Sequence, residues 1–584
     1  MAKNRKISIL FPPMADIPFR TMTDTAWHDL GMDALCEKLS PKANERGLIA
    51  QAMKAMTDDP AVSAFRIGVF EDILAFPELR SRMMDLLSHV QFLNDYGSFR
   101  KDHDMRAGLW ELLHRFSELD DYISSVEAIR ACLEDYDIQS EGFTALREYV
   151  ISIYEDLSFA ELKKDIKALK ADTSNLRSIT IGINLNKSFE VDSIGLISVN
   201  SKEFRNSGIL GNLSDAINSR EGIREDNKWD GSMRFHPVAN SSADFTNTVN
   251  RMGAIFAGAK NPLLMPMMLP TLVNTPEQDS SRYITHYFDK EVSSMLSLVT
   301  RRLEQVLSRY VNLSIGSIAD LIPEFMYYIR WAEFIEKMKE AGFRFCRPET
   351  AGITEDALPE NCRMNAKSFY NLKLAATSEL TAADIVPNDL DFSAEHTLYL
   401  LTGANRGGKT TLTQAVGLLY VLAQGGICVP AESFVFSPVD CIYTHYPADE
   451  DKTMDLGRLG EECRRFREIY DASTENSLLL LNETFSTTSF EEGYYIAGDA
   501  VRAILNRGTR TIYNTHMHKL AVEIDSLNRE SNTKAASLIA EVEDGTKRSF
   551  RMKIAPPEGR SHAEDIAVRY GVTYEALTGT KPRD

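Results

Sequence analysis

Apolar positions along this chain follow two spacings, and the places where one gives way to the other divide it. From Asp59-Pro60, residues Phe65, Val69, Phe70, Ile73 and Leu74, then Met83, Leu86, Leu87 and Val90, recur at helical intervals. Between Trp110 and Leu133 a second stripe holds Phe116, Leu119, Ile123, Val126 and Ile129, and residues 144–171 continue as a charged amphipathic helix. Near residue 179 the period falls to two: SITIGINLNKSFEVDSIGLISVNS alternates β-branched and polar residues around Asn184-Leu185-Asn186-Lys187, which predicts a hairpin. Residues 200–275 are polar and glycine-rich. Helical spacing returns near 288 with Val292, Met295, Leu296, Val299, Leu303, Val306, Leu307 and Tyr310, and a further helix over 316–341 ends at Gly342. A helical bundle with a β-rich insertion follows from this pattern.

Later the pattern changes again. Leu398-Tyr399-Leu400-Leu401 and Leu478-Leu479-Leu480-Leu481 are short, wholly apolar runs, as buried parallel strands require. After the first comes Gly403-Ala404-Asn405-Arg406-Gly407-Gly408-Lys409-Thr410, then a helical pattern carrying Leu412, Ala415, Val416, Leu419 and Leu422. Strand, glycine loop and helix in this order form a phosphate-binding loop. Glycines let backbone N–H groups turn inward on an anion, with the helix N-terminus behind them. Lys409 would reach the β- and γ-phosphates, and the Thr410 hydroxyl would hold Mg2+. A glycine-rich turn that binds nothing is the alternative, but a partner motif follows.

The second run ends in Asn482-Glu483, where such ATPases carry acidic residues for Mg2+ and for water activation. Asn482 can accept hydrogen bonds from Mg2+-bound waters but brings no charge. Glu483 is the candidate general base. Gly493 is expected to open another helix, and Thr511 to His516 reads as a third strand ending in a polar sensor. A lone histidine is more often structural; at a strand end in this order, His516 reads as a γ-phosphate sensor.

Residues 386–584 closely resemble the ATPase domain of the MutS DNA mismatch-repair family. The matching pieces are Pro387-Asn388-Asp389, TGANRGGKTT (402–411), LAQGGICVPAES (422–433), PVDCIYT (438–444), LLLLNETFSTTSFEEG (478–493), NTHMHKL (514–520) and RSHAEDIA (560–567). The resemblance implies that Gly403, Ala404, Asn405, Arg406, Gly407, Gly408, Lys409, Thr410 and Thr411 cradle the ATP triphosphate, with Asn388 as a further nucleotide contact. Thr410 and Asn482 would serve Mg2+. Glu483 would activate the attacking water, with Lys409 and with His516 as the family's switch histidine. Thr488 and Ser489 fall in a loop that crosses the dimer interface in such proteins. Gly457 through Cys463 corresponds to the signature segment that acts on the neighbouring subunit's nucleotide; Glu462 is retained there, while Gly457 and Leu459 depart from the usual hydroxyl and aromatic residues. Three further departures are Asn482 for the usual aspartate, Arg406 for an apolar residue, and Ile385 where relatives stack an aromatic on adenine. Together they make nucleotide binding a firmer expectation than fast hydrolysis, with Asn482 expected to slow turnover, to weaken Mg2+ dependence, or both.

The expected fold class is multidomain, α plus α/β. Residues 1–178 form the ascending part of a long-helix lever, a plain helical bundle being the alternative. Residues 179–275 form a β-rich, clamp-like insertion, 276–365 the returning helices and linker, and 366–584 a phosphate-loop (ABC-type) ATPase domain. Because lever-like sequence is reached by residue 60, the family's mismatch-reading domain, with its Phe-x-Glu wedge, is not expected in this sequence, nor is a Smr nuclease domain.

Composition adjusts this picture in two ways. At 43% apolar and 26% charged residues, with no long apolar run and with proline interrupting the start, neither a membrane span nor a signal peptide is expected. The seven scattered cysteines suggest neither a zinc site nor a disulfide framework, which favours a cytoplasmic, reducing location. A net charge of −19 opposes non-specific DNA binding through a broad basic face. Basic and acidic residues balance over 179–275, so any arginine there is as well read as part of a solvated insertion as a DNA contact. The leading expectation is a MutS-family ATPase that homodimerises through its ATPase domains and encircles DNA in mismatch repair or recombination-type processes. Branched duplexes are expected targets ahead of single mismatches. The alternative is a nucleotide-gated scaffold with little hydrolysis, acting on RNA or protein.

Overall fold

The computed structural model describes residues 7–13, 17–81, 83, 109–134, 136–173, 178–185, 187, 191–200, 297–310, 321–351, 362–393, 395–403, 407–447, 457–543, 547–557, 568 and 570–578. The expected insertion from residue 201 onward, the apolar positions Leu86, Leu87, Val90, Val292, Met295 and Leu296, and the segment 560–567 lie outside these residues. No described helix is long and apolar enough to cross a membrane.

Fourteen strands are described. The early ones are β1 (Arg20–Thr21), β2 (Ala55–Met56), β3 (Ser178–Leu185) and β4 (Val191–Asn200). Next come β5 (Pro348–Thr350), β6 (Cys362–Phe369), β7 (Asn388–Ser393), β8 (Leu398–Thr402) and β9 (Ser433–Phe436). The last are β10 (Ile442–His445), β11 (Leu478–Asn482), β12 (Arg510–Asn514), β13 (Ala535–Glu543) and β14 (Lys547–Ile554).

Contacts divide the chain into two compact units. The first comprises Met1–Leu87, Arg130–Tyr149 and Asp320–Asp584, and the second Ser88–Ile129 and Val150–Ala319. The first unit contains a six-stranded sheet in the order β10-β11-β12-β8-β13-β14. Its pairings are parallel from β10 through β13, and only β13–β14 is antiparallel. Every residue of β8, β11 and β12 is buried. That burial on both faces explains why the leucine runs are continuous rather than alternating. Each fully buried leucine contributes about 1.5–3 kcal/mol relative to exposure. A second sheet of the same unit has the order β5-β9-β6-β7.

The helix Lys409–Gln424 follows β8 and was expected to bury one face. It is buried nearly all round, because β11 and β12 take one side while helices Ala43–Lys54 and Pro60–Ala75 take the other. Helix Pro60–Ala75 begins as its sequence predicts: the Asp59 carboxylate accepts from Ala61 N at 2.8 Å, and Pro60 occupies the first turn where no N–H is needed. The first unit therefore takes in N-terminal residues that sequence pattern alone groups with the lever.

In the second unit, helix Leu157–Thr173 is joined to Leu109–Glu134 by the Lys170–Asp120 ion pair at 2.7 Å and by Lys163 with Glu127. Arg309 reaches Asp165 at 3.3 Å, which ties in the segment after helix Ser297–Leu307. The single helix expected over 144–171 is two, Glu141–Tyr154 and Leu157–Thr173. The break lies at Glu155-Asp156, where the Asp156 carboxylate accepts from Ser158 N at 2.8 Å and from the Ser158 hydroxyl, competing with helical hydrogen bonding. The hairpin is present, but its turn comes later than expected: Asn184 pairs with Ser193 inside the β3–β4 ladder. In the first unit, the helix expected over 316–341 is described from Ile322 to Glu340, with Pro323 in its first turn.

Candidate functional site

The site is built where β8, β11 and β12 end side by side. β8 delivers Gly403, whose φ of +131° lies in the glycine-favouring region. A Cβ there would also stand 3.3 Å from Ala540 Cβ and 3.4 Å from Ala540 N, so conformation and space both require glycine. Ala404, Asn405 and Arg406 lie outside the described residues. Gly407 is buried, and Gly408, with φ +87°, stands at the N-cap of the helix that starts at Lys409. The first N–H groups of that helix lack intrahelical partners, which makes its start an anion-binding position.

Lys409 is only 5% exposed, and its Nζ donates to the Gly403 carbonyl at 2.9 Å. A phosphate oxygen is a stronger acceptor for this ammonium than a neutral carbonyl. Thr410 is exposed, and its hydroxyl donates to Asn482 Oδ1 at 3.2 Å. Thr411 is half-buried; its carbonyl accepts from Asn371 Nδ2 at 2.9 Å, anchoring the first helical turn.

Asn482 closes β11 and lies directly opposite Asn514 of β12 in the parallel register. Asn514 Nδ2 donates to Asn482 Oδ1 and, at 3.4 Å, to the Thr410 hydroxyl oxygen. Both amides are buried, and Asn514 Oδ1 has no hydrogen-bond partner among the described residues. The sequence places Asn514 in the strand and in the segment NTHMHKL but assigns it no role. The available signal was its position: it ends its strand as Asn482 ends the neighbouring one.

Glu483 follows in a left-handed conformation, φ +55°, and its N–H donates to the Asn514 carbonyl at 2.8 Å. Phe485 shares that conformation at φ +64°. Non-glycine residues held there cost on the order of 1–3 kcal/mol each and cluster at functional sites. The Glu483 carboxylate lies 2.7 Å from His516 Nε2, so the expected base and the expected sensor form one pair. Lys409, Thr410, Asn482, Glu483 and His516 are thus linked through the ends of three adjacent strands.

Other expected residues occupy different places. Asn388 has its amide engaged within the chain: Oδ1 accepts from Met552 N at 2.7 Å, while Nδ2 donates to Phe550 O at 3.3 Å and Val386 O at 3.4 Å. It thereby ties β7 to β14 and holds Phe550, whose ring borders Gly408. Ile385 is half-buried just before it. Glu462, in the segment Gly457–Cys463, is buried and accepts from the Thr487 hydroxyl at 3.0 Å. Burial raises its carboxyl pKa against the lowering effect of that bond. Thr488 donates to Glu492 at 2.5 Å, and Ser489 caps helix Phe490–Arg507 by accepting from Glu492 N. That helix opens at Phe490 rather than at Gly493. Gly493 sits within its first turn, where a Cβ would come 2.5 Å from the Phe485 carbonyl oxygen.

A histidine that sequence reading did not single out joins these parts. His445, at the end of β10, is 1% exposed. Its Nε2 faces the Glu462 carbonyl at 3.3 Å and therefore donates, which leaves Nδ1 to accept from the Thr484 hydroxyl at 3.0 Å. Burial, reinforced by the nearby Arg465 charge, lowers its pKa to about 4. Tyr513 donates to the Thr484 carbonyl at 2.8 Å from the other side.

Two family models match parts of the chain. Residues 399–569 match the family model for MutS domain V, and residues 58–212 match that for the MutS2 N-terminal domain. The DNA mismatch repair protein MutS of Chlorobium chlorochromatii is 31% identical over 209 residues, covering 34% of this chain and 23% of that protein. The endonuclease MutS2 of Caldanaerobacter subterraneus subsp. tengcongensis is 28% identical over 248 residues, 42% of this chain and 30% of that protein. The DNA mismatch repair protein MutS of Methanococcoides burtonii is 32% identical over 243 residues, 40% and 27% respectively. In each case the match spans less than a third of the relative's length.

Proposed function

We propose, from the premise that this chain belongs to the MutS family on the two family matches, that it is a dimeric, ATP-dependent DNA-binding protein with slow hydrolysis. One observation carries the reading: Lys409, Thr410, Asn482, Glu483 and His516 converge on the helix N-terminus at the ends of β8, β11 and β12. Ligands in open α/β sheets bind outside the carboxyl ends of the strands, which is where these groups stand.

In this reading the helix N-terminus and Lys409 hold the triphosphate. Glu483 accepts the proton of the attacking water, and His516 orients the Glu483 carboxylate through their shared hydrogen bond. The exposed Thr410 hydroxyl, backed by the neutral Asn482 carbonyl, fits a Mg2+ ion held partly through water. Mg2+, when bound, would supply positive charge to offset the negative charge developing on the phosphates. The segment Gly457–Cys463 would serve the partner subunit's nucleotide, with Glu462 holding the 484–489 loop within its own subunit. Nucleotide state would thereby bias how the helical unit grips DNA, a hinge-type switch.

A second reading, a nucleotide-gated scaffold for RNA or protein, is favoured by the net charge of −19 and by the uncharged Asn482. Equilibrium binding to homoduplex, single-mismatch and four-way-junction DNA separates the two, with no nucleotide, ADP or a non-hydrolysable ATP analogue at two salt concentrations. DNA binding that depends on nucleotide is expected, strongest on the branched substrate. Absence of binding at low salt would overturn the DNA reading in favour of the scaffold.

A further inference from the structure

We propose that this site holds nucleotide almost independently of divalent cation, because Thr410, Asn482 and Asn514 present a neutral acceptor where a carboxylate ordinarily supports Mg2+. The inference rests on the nucleotide-binding part of the function proposed above and concerns how that same site is controlled.

The geometry is that of a neutral amide pair that leaves one acceptor, Asn514 Oδ1, without a partner among the described residues. Asn482 Oδ1 accepts from both the Thr410 hydroxyl and Asn514 Nδ2, and the strand register holds the two amides opposite one another. Two donors that would suit a carboxylate oxygen at position 482 are thus met by an uncharged one. Glu483, the acidic residue that follows, is hydrogen-bonded to His516. Among the described residues, no group of three or more His, Cys, Asp or Glu side chains is placed to hold a metal ion. A divalent ion would therefore depend mainly on Thr410, phosphate oxygens and water, with little anionic help from the chain.

The fixed charges nearby favour the anion itself. Lys409 is buried beside the loop, and the helix N-terminus adds a partial positive charge. A carboxylate in place of Asn482 would repel the phosphates of free ATP across a few ångströms of poorly screened protein, and Mg2+ would be needed to offset it. An amide does neither. Nucleotide retention and metal-assisted hydrolysis are thereby separated: the ion matters for turnover but hardly for occupancy.

The test is a titration of the purified full chain with a fluorescent N-methylanthraniloyl-ATP, in Mg2+ and in EDTA, on the wild type, Asn482→Asp and Asn482→Ala. The wild-type Kd is expected to change by less than about threefold on chelation, and Asn482→Ala, which is also uncharged, should share that small ratio. Asn482→Asp should bind at least about tenfold more weakly in EDTA than in Mg2+. A wild-type loss beyond about tenfold in EDTA would overturn the inference while leaving nucleotide binding intact. So would an Asn482→Asp variant whose ratio equals that of the wild type. Absence of binding in either condition would overturn the nucleotide reading itself and the inference with it. Circular dichroism checks that each variant folds; if Asn482→Asp does not, the wild-type and Asn482→Ala ratios decide.

Discussion

The proposed chemistry rests on single side chains at strand ends, where a small change in charge is expected to separate binding from turnover. Glu483→Gln keeps the shape and the hydrogen bond to His516 but removes the proton acceptor. Hydrolysis is expected to fall about 10²–10⁴-fold while nucleotide affinity stays within about twofold, as steady-state phosphate release and equilibrium binding would read. Near wild-type hydrolysis would remove Glu483 from its role. Lys409→Ala, by contrast, should weaken nucleotide binding itself by more than about tenfold, since it removes the buried cation.

His445 makes a different residue-scale prediction. Its folded-state pKa is depressed to about 4, chiefly by burial, below the ordinary value of 6.5. The neutral ring is therefore favoured in the fold. Its contribution to stability is complete above pH 6.5 and is lost as pH falls towards 4, with an upper bound of about 3 kcal/mol. Urea unfolding at pH 7 and pH 5 should show this loss, and His445→Asn should flatten it. An equal pH dependence in wild type and variant would refute the assignment.

At the scale of elements, capping and close approach decide where helices begin. Ser489, not Gly493, starts the helix Phe490–Arg507, because its hydroxyl satisfies the Glu492 N–H and two acidic residues occupy the positive end of the helix. Ser489→Ala should lower stability by about 1 kcal/mol in chemical denaturation, and no measurable change would argue against the cap. Gly493 answers a need that composition does not display: the Phe485 carbonyl passes where a side chain would stand. Gly493→Ala should cost about 1–3 kcal/mol through overpacking, and it should disturb the loop that carries Thr484 to Thr488. The break at Asp156 follows the same logic. An apolar stripe can run on through a side chain that captures backbone N–H groups and ends the helix, and periodicity alone does not register it.

Across the whole of the first unit, long-range contacts fasten the N-terminal segment to helices Ile322–Glu340 and Lys409–Gln424. Glu324 accepts from the Ser8 hydroxyl at 2.9 Å, from Ile9 N at 2.6 Å and from Leu10 N at 3.2 Å. Arg66 is buried and donates to Leu10 O and to Gln424 O, both at 2.8 Å, so one guanidinium joins the N-terminal strap to the C-terminal end of the phosphate-loop helix. Arg66→Met would fill much of the volume but strand two buried carbonyls. A loss of about 2–5 kcal/mol in urea denaturation is expected, and a loss below about 1 kcal/mol would mean that the strap is not held this way.

What the sequence determined by itself was local in origin. The continuous leucine runs pointed to strands buried on both faces, the G-x-x-x-x-G-K-T spacing between a strand and a helix pointed to a phosphate loop, and Asp59-Pro60 announced a helix start. Each rests on neighbours within a few residues, so the pattern is readable without the fold. The partners of Lys409, Thr410, Asn482, Glu483 and His516 were expected from order along the chain, and the geometry joins them. Only tertiary structure could bring in Asn514, His445, the inward-facing Glu462 and the Asn388 tie between β7 and β14. It also grouped the described residues up to Met83 in one compact unit with the six-stranded sheet. Their contacts join residues tens to hundreds of positions apart, as Arg66 and Gln424 are. No periodicity encodes such pairings, because strand register and the packing of distant helices set which buried polar atoms meet.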